Sequence, residues 1–440
     1  MLFVGKGFVV QLGDSQYPLR LLPFILTLPY CANIKKIPPS VAKAWIFMIL
    51  CFCISIILLL TFPSNAWVAA PPYVTWDAII FGNMSPVHPS ITHSVVLMTI
   101  KFILFSFVYL YIYTQWKYEH YKKFLSKLSN ISNIFIILAI IEVFIKNVLR
   151  LNNLWGEIDL AFWGDTTSTV HTGRLRGFLY ESCLFNKESS IHAYSFFIVS
   201  LIKIANNILN DKTRKIDYYI ILCYVLMFLS TSFTSVILIL SFVAIYITYR
   251  WGVLRPNTMG VEKIIVAVTL LLSTSFSIVI GITEDDFILR RLFNLFENVG
   301  NYLTFDIDYG HINTYDDIST YIRTLSIMQT LKAFIERPLF GYSLFAIWCH
   351  GPTATLLASL GIVGFICWIR FYFWKISLKY MVQPQSIPFS IGIGIYFLLL
   401  FFCGGSGQLS PFSFFMPLVF IVCNCFIFAK NENKCNYNML

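Results

Sequence analysis

Apolar residues fall in long unbroken runs, separated by short polar connectors in which lysine dominates. The clearest runs cover residues 44–62, 94–115, 131–148, 191–209, 264–282, 352–374, 387–403 and 411–429. Each is close to the ~20 residues that a helix needs to cross a hydrocarbon core of about 30 Å. Two shorter runs, 218–229 and 236–249, flank the polar stretch Ser230-Thr231-Ser232-Phe233-Thr234-Ser235 and predict a pair of short helices. Hydroxyls in such a break can satisfy helix-end groups inside the membrane boundary or line a polar groove. Residues 2–12 and 19–29 are apolar but short, and read as a hairpin, one broken span or an interfacial segment. The runs are continuous rather than alternating, which excludes a β-barrel. The pattern predicts an all-α fold, a polytopic transmembrane helical bundle of ten spans, or twelve if residues 1–34 cross twice. It forms a single membrane domain over 1–440 with one large loop at 283–350, which contains helices, and a smaller one at 150–190.

Composition agrees: 57% of the 440 residues are hydrophobic and 12% are charged, against roughly 25% charged in a soluble domain. The formal net charge of +10 does not indicate a nucleic-acid partner, because the positives sit between spans, where they set topology. Connectors near 35–43, 117–127, 212–215, 250–263, 375–379 and 430–434 alternate consistently on one side and hold most of the lysine. That side is assigned to the cytoplasm, so loops 63–93, 150–190, 283–350 and 404–410 face outward. Residues 1–13 lack a basic start and a small-residue cleavage site, so the first spans are expected to direct insertion. Most of the 11 cysteines lie inside apolar runs and form neither metal spacing nor a disulfide framework. Cys183 and Cys349 lie outside the runs and are the one pair open to bridging. Glu142 and Lys146 stand one helical turn apart in a span and are expected to pair.

The outward positives change the picture. They are Arg150, Arg174, Arg176, Lys187, Arg290, Arg291, Arg323, Lys332 and Arg337, mostly arginine, against the lysine of the opposite side. Arginine presents a planar, permanently charged fork that meets phosphate oxygens in pairs. The plainer account is pairing with nearby acids such as Glu181, Glu284, Asp285 and Asp286. In Gly173-Arg174-Leu175-Arg176-Gly177-Phe178-Leu179-Tyr180-Glu181, two arginines are bracketed by glycine and followed by a carboxylate. Beside an apolar span Glu181 can act as acid or base; otherwise the stretch is a neutralised surface turn. In the large loop, Asp316 or Asp317 can cap a helix running to Glu336, with Tyr321, Leu325, Met328, Leu331 and Ile335 as its apolar face and Arg323 off it. Arg337-Pro338 ends that helix and Gly341 marks the turn. His350 stands at the mouth of the next span, as an interfacial hydrogen bonder or as a base. Leu289, Leu292, Phe293 and Phe296, beside Arg290 and Arg291, predict a short amphipathic surface helix. Asp306-x-Asp308 has a metal-like spacing but reads as a solvated loop pair, so no metal site is expected.

With those motifs in that order, residues 131–374 resemble the O-antigen polymerase and ligase superfamily of bacterial inner membranes. The resemblance is carried by Arg174, Gly177, Phe178 and Glu181, by the Ser/Thr break, and by the large outer loop with Arg323 on a helix. It continues through Pro338-Leu339-x-Gly341-Tyr342, His350 and Gly361-Ile362-Val363-Gly364. The chain departs from the family at Gly351, where asparagine is frequent, and at Ser182, where proline is frequent; Glu181 looks closer to the polymerases than to the ligases. The resemblance implies a glycosyltransferase of the inner membrane with its site facing the periplasm, using an undecaprenyl-diphosphate-linked oligosaccharide as donor and no cofactor. It implies Glu181, His350 and Arg323 as catalytic residues and Arg174, Arg176, Arg290 and Arg291 as ligands of diphosphate or glycan. The lipid bilayer and a chain-length regulator protein are the further partners it implies. A ligase joining glycan to lipid A core, or a flippase of lipid-linked oligosaccharide, are the alternatives. A flippase would want charges inside its spans and internal repeats: Lys101, Glu142, Lys146, Lys203 and Arg370 do lie in or near spans, but no repeat is visible in the sequence.

Overall fold

The computed structural model describes residues 9–12, 15–18, 22–32, 34, 37–64, 88–163, 175–176, 179–180, 189–210, 217–230, 233–247, 318–343, 346–347, 349, 351–372, 390, 392 and 394. The expected spans 264–282 and 411–429, nearly all of 387–403, and the amphipathic segment around Arg290 and Arg291 lie outside the described residues. The chain opens with an antiparallel hairpin, β1 (Val9–Leu12) and β2 (Ser15–Pro18), and the helix α1 (Leu22–Cys31). Of the readings left open for residues 1–34, the structure gives a hairpin followed by a helix of 10 residues, half the length needed to span. Then follow α2 (Pro39–Thr61), α3 (His93–Gln115), α4 (Tyr118–Val143) with a π-helical turn Phe144–Val148, and α5 (Asn152–Trp163). A two-residue ribbon, β3 (Leu175–Arg176) with β4 (Leu179–Tyr180), precedes α6 (Ser189–Leu209), α7 (Tyr218–Leu229) and α8 (Phe233–Ile247). The described part closes with α9 (Ile318–Glu336) and α10 (Pro352–Tyr372).

Five of these helices are long and apolar enough to cross a membrane: α2, α3, α4 with its π turn, α6 and α10. Local chemistry sets their ends. Pro39 opens α2, at a position where a missing N–H costs nothing. Thr92 accepts from the Val95 N–H at 3.3 Å to start α3. Asp217 accepts from the Tyr219 N–H at 3.0 Å to start α7. Ser230 closes α7 by donating to the Met227 carbonyl at 2.7 Å, one of the end-satisfying bonds expected of the Ser/Thr break.

The expected basic connector 117–127 is instead helix. α3 and α4 are separated only by Trp116 and Lys117, and the span at 131–148 is the second part of one helix that starts at Tyr118. Tyr121, Leu125, Leu128 and Ser132 recur at helical spacing and are buried, so the lysines between them ride on a packed helix.

α6 lies at the centre of one group of helices, with α4, α7 and α8 around it. It is the least apolar of the five long helices, yet every residue of His192–Leu209 faces protein. Phe196 meets Phe135 of α4 at 5.0 Å between rings. Lys203 donates to the Ser129 carbonyl at 2.7 Å and to Asn133 Oδ1, and lies 4.8 Å from the Tyr219 ring. Asn207 donates to the Asp217 carboxylate at 2.8 Å. A second group joins α2, α3 and α10 through rings: Phe52–Phe102 at 5.1 Å and Tyr109–Tyr372 at 4.7 Å. Trp45 Nε1 donates to Ser106 Oγ at 2.7 Å. One continuous apolar core runs through both groups.

α10 is broken in its middle. Gly361 has φ 64° and ψ 179°, outside the helical region, and a positive φ of that kind is open to glycine. The break is filled by the turn after α9. Ile362 N–H donates to the Pro338 carbonyl at 2.8 Å, Val363 N–H to the Leu339 carbonyl at 3.2 Å, and Tyr342 N–H to the Ala358 carbonyl at 3.1 Å. Gly341, φ 64°, lies so close to the break that a Cβ there would overlap the carbonyls of Ala358 and Ser359. A Cβ on Gly361 would overlap the backbone of Leu339 and Phe340. Gly361→Ala and Gly341→Ala are therefore expected to cost about 3–5 kcal/mol each, from positive φ and backbone overlap together. Gly394→Ala, where an added Cβ meets nothing within 4 Å, is expected to be neutral. Thermal melting of the purified variants in one detergent checks the contrast.

Candidate functional site

Of the sequence-predicted site residues, Arg174, Glu181, Arg290, Arg291 and His350 lie outside the described residues. Arg176 is placed by its backbone in β3, and Arg323 by its backbone near the start of α9. What the structure does describe is how the elements that carry them are held.

The arginine-bearing ribbon is tied to the end of α4. Tyr180 N–H donates to Asn147 Oδ1 at 2.6 Å, and Asn147 Nδ2 donates to the Tyr180 carbonyl at 3.3 Å. One carboxamide thus bonds both main-chain groups of Tyr180, the residue before Glu181. Asn147 reaches the ribbon from the π turn, a local widening of the helix often found beside functional groups. One turn back, Glu142 and Lys146 form the ion pair expected from their spacing, 2.8 Å apart and fully buried. Arg150 follows in the left-handed region, φ 57°, with its guanidinium 5.6 Å from the Tyr180 ring. Its charge is directed at an aromatic face of the ribbon. His192, buried in the first turns of α6, lies edge-on to Phe196 at 4.6 Å.

The C-terminal end of α9 is tied to α2. Tyr342 Oη donates to Glu336 Oε2 at 2.7 Å and shares a hydrogen bond of 3.0 Å with Ser64 Oγ, which itself donates to Glu336 at 3.1 Å. Burial pushes the Tyr342 hydroxyl up to about 12; the neighbouring Glu336 also raises it, while Ser64 and Arg337 pull the other way. Arg337 was grouped with the outward arginines suited to phosphate, and the structure corrects this. Its guanidinium donates to the Leu58 carbonyl at 3.3 Å and to the Phe62 carbonyl, closing the C-terminal end of α2, and lies 4.7 Å from the Tyr342 ring. Helix-end carbonyls left without partners make a good seat for a cation.

Of the apolar face expected on α9, the side chains of Tyr321 and Leu325 lie outside the described structure, Leu331 packs on Ile327, Cys349 and Ala354, and Ile335 is a correction. Ser326, Ile327, Thr330 and Ala333 are the buried positions, whereas Ile335 is exposed. Small and hydroxylated residues let α9 approach α10 closely, and Thr330 satisfies itself by donating to the Ser326 carbonyl at 2.8 Å. At the mouth of α10, Cys349 N–H donates to Thr355 Oγ1 at 3.2 Å, its thiol donates to the Gly351 carbonyl at 3.1 Å, and Gly351 N–H returns to Sγ at 3.3 Å. Both backbone neighbours of His350 are thereby pinned. Cys349 is a buried free thiol, raised by burial. Cys183, the partner left open for it, lies outside the described residues.

The sequence flagged Glu142 and Lys146 by spacing and the Pro338–Tyr342 turn by its glycine. It gave no signal for Asn147 or Ser64, whose partners lie far along the chain. Among the described residues, no three His, Cys, Asp or Glu side chains converge as metal ligands.

Two outcomes follow from this geometry. Replacing one member of the buried pair, by Glu142→Gln or Lys146→Met, is expected to cost about 3–5 kcal/mol, because a charge is left without its partner. Replacing both by leucine is expected to cost less than either single change; equilibrium unfolding in mixed micelles gives the comparison. For Tyr342, a folded pKa raised above the unfolded value favours the neutral hydroxyl in the native state. That contribution is complete below pH 10, the ordinary tyrosine value, and is lost as pH rises towards about 12. Melting temperature is expected to fall across that window in the wild type and to fall less in Tyr342→Phe.

Comparison with known proteins leaves the chain by itself: no family model, no curated protein and no solved structure matches it.

Proposed function

We propose that this chain is a polymerase of lipid-linked polysaccharide repeats in a bacterial inner membrane, with its site on the periplasmic face. The observation that carries the reading is the insertion of the Pro338–Tyr342 turn into the break at Gly361. These are two of the motifs on which the resemblance to O-antigen polymerases rests. They meet as one unit that fastens the helix bearing Arg323 to α10 and α2. A loop held so firmly to the bundle suits a site that must keep charged groups in register with a membrane-borne substrate.

In this reading a hydroxyl of the terminal sugar on a new lipid-linked repeat attacks the anomeric carbon of the growing glycan. The bond from that carbon to undecaprenyl diphosphate breaks, and the diphosphate leaves with the electron pair. Charge grows on the leaving group, and Arg174, Arg176 and Arg323 are the groups proposed to stabilise it, with Arg290 and Arg291 holding diphosphate or glycan further out. Glu181 or His350 takes the proton of the attacking hydroxyl. The bonds that hold Tyr180, Cys349 and Gly351, the described neighbours of these two residues, support the assignment.

Two features of the described residues favour a transporter. One is the charges within spans, Glu142, Lys146 and Lys203; these are met by partners in the chain. The other is the broken helix, since discontinuous helices build the ion and substrate sites of that class. Here the N–H groups freed by the break bond to the chain's own carbonyls, which makes the break a joint rather than a substrate site.

The test is a lipopolysaccharide gel from a strain lacking this gene. Core carrying a single repeat, with a ladder restored by the wild-type chain, is the expected result. Arg323→Ala at normal abundance is expected to lower ladder formation by about 10²–10³-fold, the loss typical of one charge-stabilising donor. Long lipid-linked glycan with bare core would instead make the chain a ligase. Repeats retained on the cytoplasmic face would make it a flippase.

A further inference from the structure

The helix that begins at Tyr118 is longer than a bilayer requires. With its π turn it runs 31 residues, about 46 Å at the rise of an α-helix. Its exposed face changes character part-way. Ile131, Ile134, Leu138, Ile141, Phe144 and Val148 are exposed and apolar, and residues 131–148 measure about 27 Å, close to the ~30 Å of a hydrocarbon core. Below Ile131 the exposed positions are polar: Asn130, Lys127, Lys123 and, a turn further out, Glu119.

Helical spacing puts Lys123 and Lys127 on the same face as Ile134, Leu138 and Ile141. They therefore continue the lipid-facing stripe instead of turning into the bundle. Lys127 lies about 6 Å and Lys123 about 12 Å beyond Ile131 along the axis. The polar layer on each side of a bilayer is about 5–8 Å thick, and a lysine stem reaches several ångströms towards it. Lys122 is taken up differently, half-buried with its ammonium 5.9 Å from the Tyr118 ring. Among the described residues neither Lys123 nor Lys127 makes an ion pair, although Glu119 stands one turn from Lys123. Trp116 packs on Tyr121 and Phe124, each at 5.2 Å, which places an aromatic group at the same level, as at membrane interfaces.

We infer that Lys123 and Lys127 form a binding site for the phosphate of an anionic phospholipid, whose chains lie along Ile134 and Leu138. The two halves of the site match the two halves of one molecule. Amphipathic continuity along a single helix face selects a lipid over a soluble anion, because a free phosphate has no use for the apolar half. The inference is independent of the glycosyltransferase reading.

Native mass spectrometry of the full chain tests it, with delipidated protein offered phosphatidylglycerol and phosphatidylcholine together. The wild type is expected to retain phosphatidylglycerol preferentially. The double variant Lys123→Gln, Lys127→Gln is expected to lose about 30-fold in that preference, from two lysines at ordinary headgroup attraction. The double variant Lys123→Arg, Lys127→Arg keeps the charge and is expected to bind like the wild type, which separates lost charge from lost folding. Lys332→Gln, exposed on α9, is expected to change nothing. Equal retention of both lipids by the wild type, or undiminished phosphatidylglycerol on the glutamine variant, would overturn the proposal. So would displacement by inorganic phosphate, which would assign the lysines to a free anion.

Discussion

Inside a hydrocarbon layer no water is available to bond a polar group, so each such group must find its partner within the chain. That constraint inverts the usual relation between hydropathy and burial. α2 is the most apolar of the long helices and has only a third of its residues buried, with much of its surface outward. α6 is the least apolar and is buried on every side. Its His192, Ser195, Ser200, Lys203 and Asn207 cannot face lipid without large cost, so the bundle closes around them. Lys203 illustrates the solution: its ammonium is met by a carbonyl and a carboxamide from α4 and by the Tyr219 ring from α7.

The same constraint explains the joint between α9 and α10. A helix interrupted at Gly361 exposes backbone N–H groups that lipid cannot satisfy. The Pro338–Tyr342 turn supplies the missing carbonyls, and Arg337 beside it takes up carbonyls at the end of α2. Three helices are thus held at one point by main-chain bonds and one guanidinium. The Ser64–Tyr342–Glu336 cluster extends that joint to the start of the following loop. Rigid attachment of α9 is what an arginine on that helix requires if it is to meet a transient charge in a fixed place.

Much of this was legible in the residues. The apolar runs at 44–62, 94–115, 191–209 and 352–374 lie within a few residues of α2, α3, α6 and α10. The end of α9 at Arg337-Pro338, the Gly341 turn and the Glu142–Lys146 pair follow from local chemistry and appear as expected. The failures share a cause. Residues 117–127 look like a connector because charge suggests water, but Tyr121, Leu125 and Leu128 bury a face that holds them in helix. Arg337 looks like a phosphate ligand because its partners, Leu58 and Phe62, are more than 270 residues away in the chain. For α9, apolar spacing placed Ile335 inward, whereas it is exposed and the positions buried beside α10 include the small or hydroxylated Ser326, Thr330 and Ala333.

By itself the sequence determined that the chain is helical and suited to a membrane, and where most described helices begin and end. Those properties depend on neighbours within a few turns, through propensity, capping and hydropathy. Only the tertiary structure decided which helix occupies the centre, that α10 is broken and filled by a distant turn, and that Asn147 holds the arginine ribbon. Each of these is a bond between groups far apart in the chain, and its partner is chosen by packing geometry, which a linear pattern does not encode.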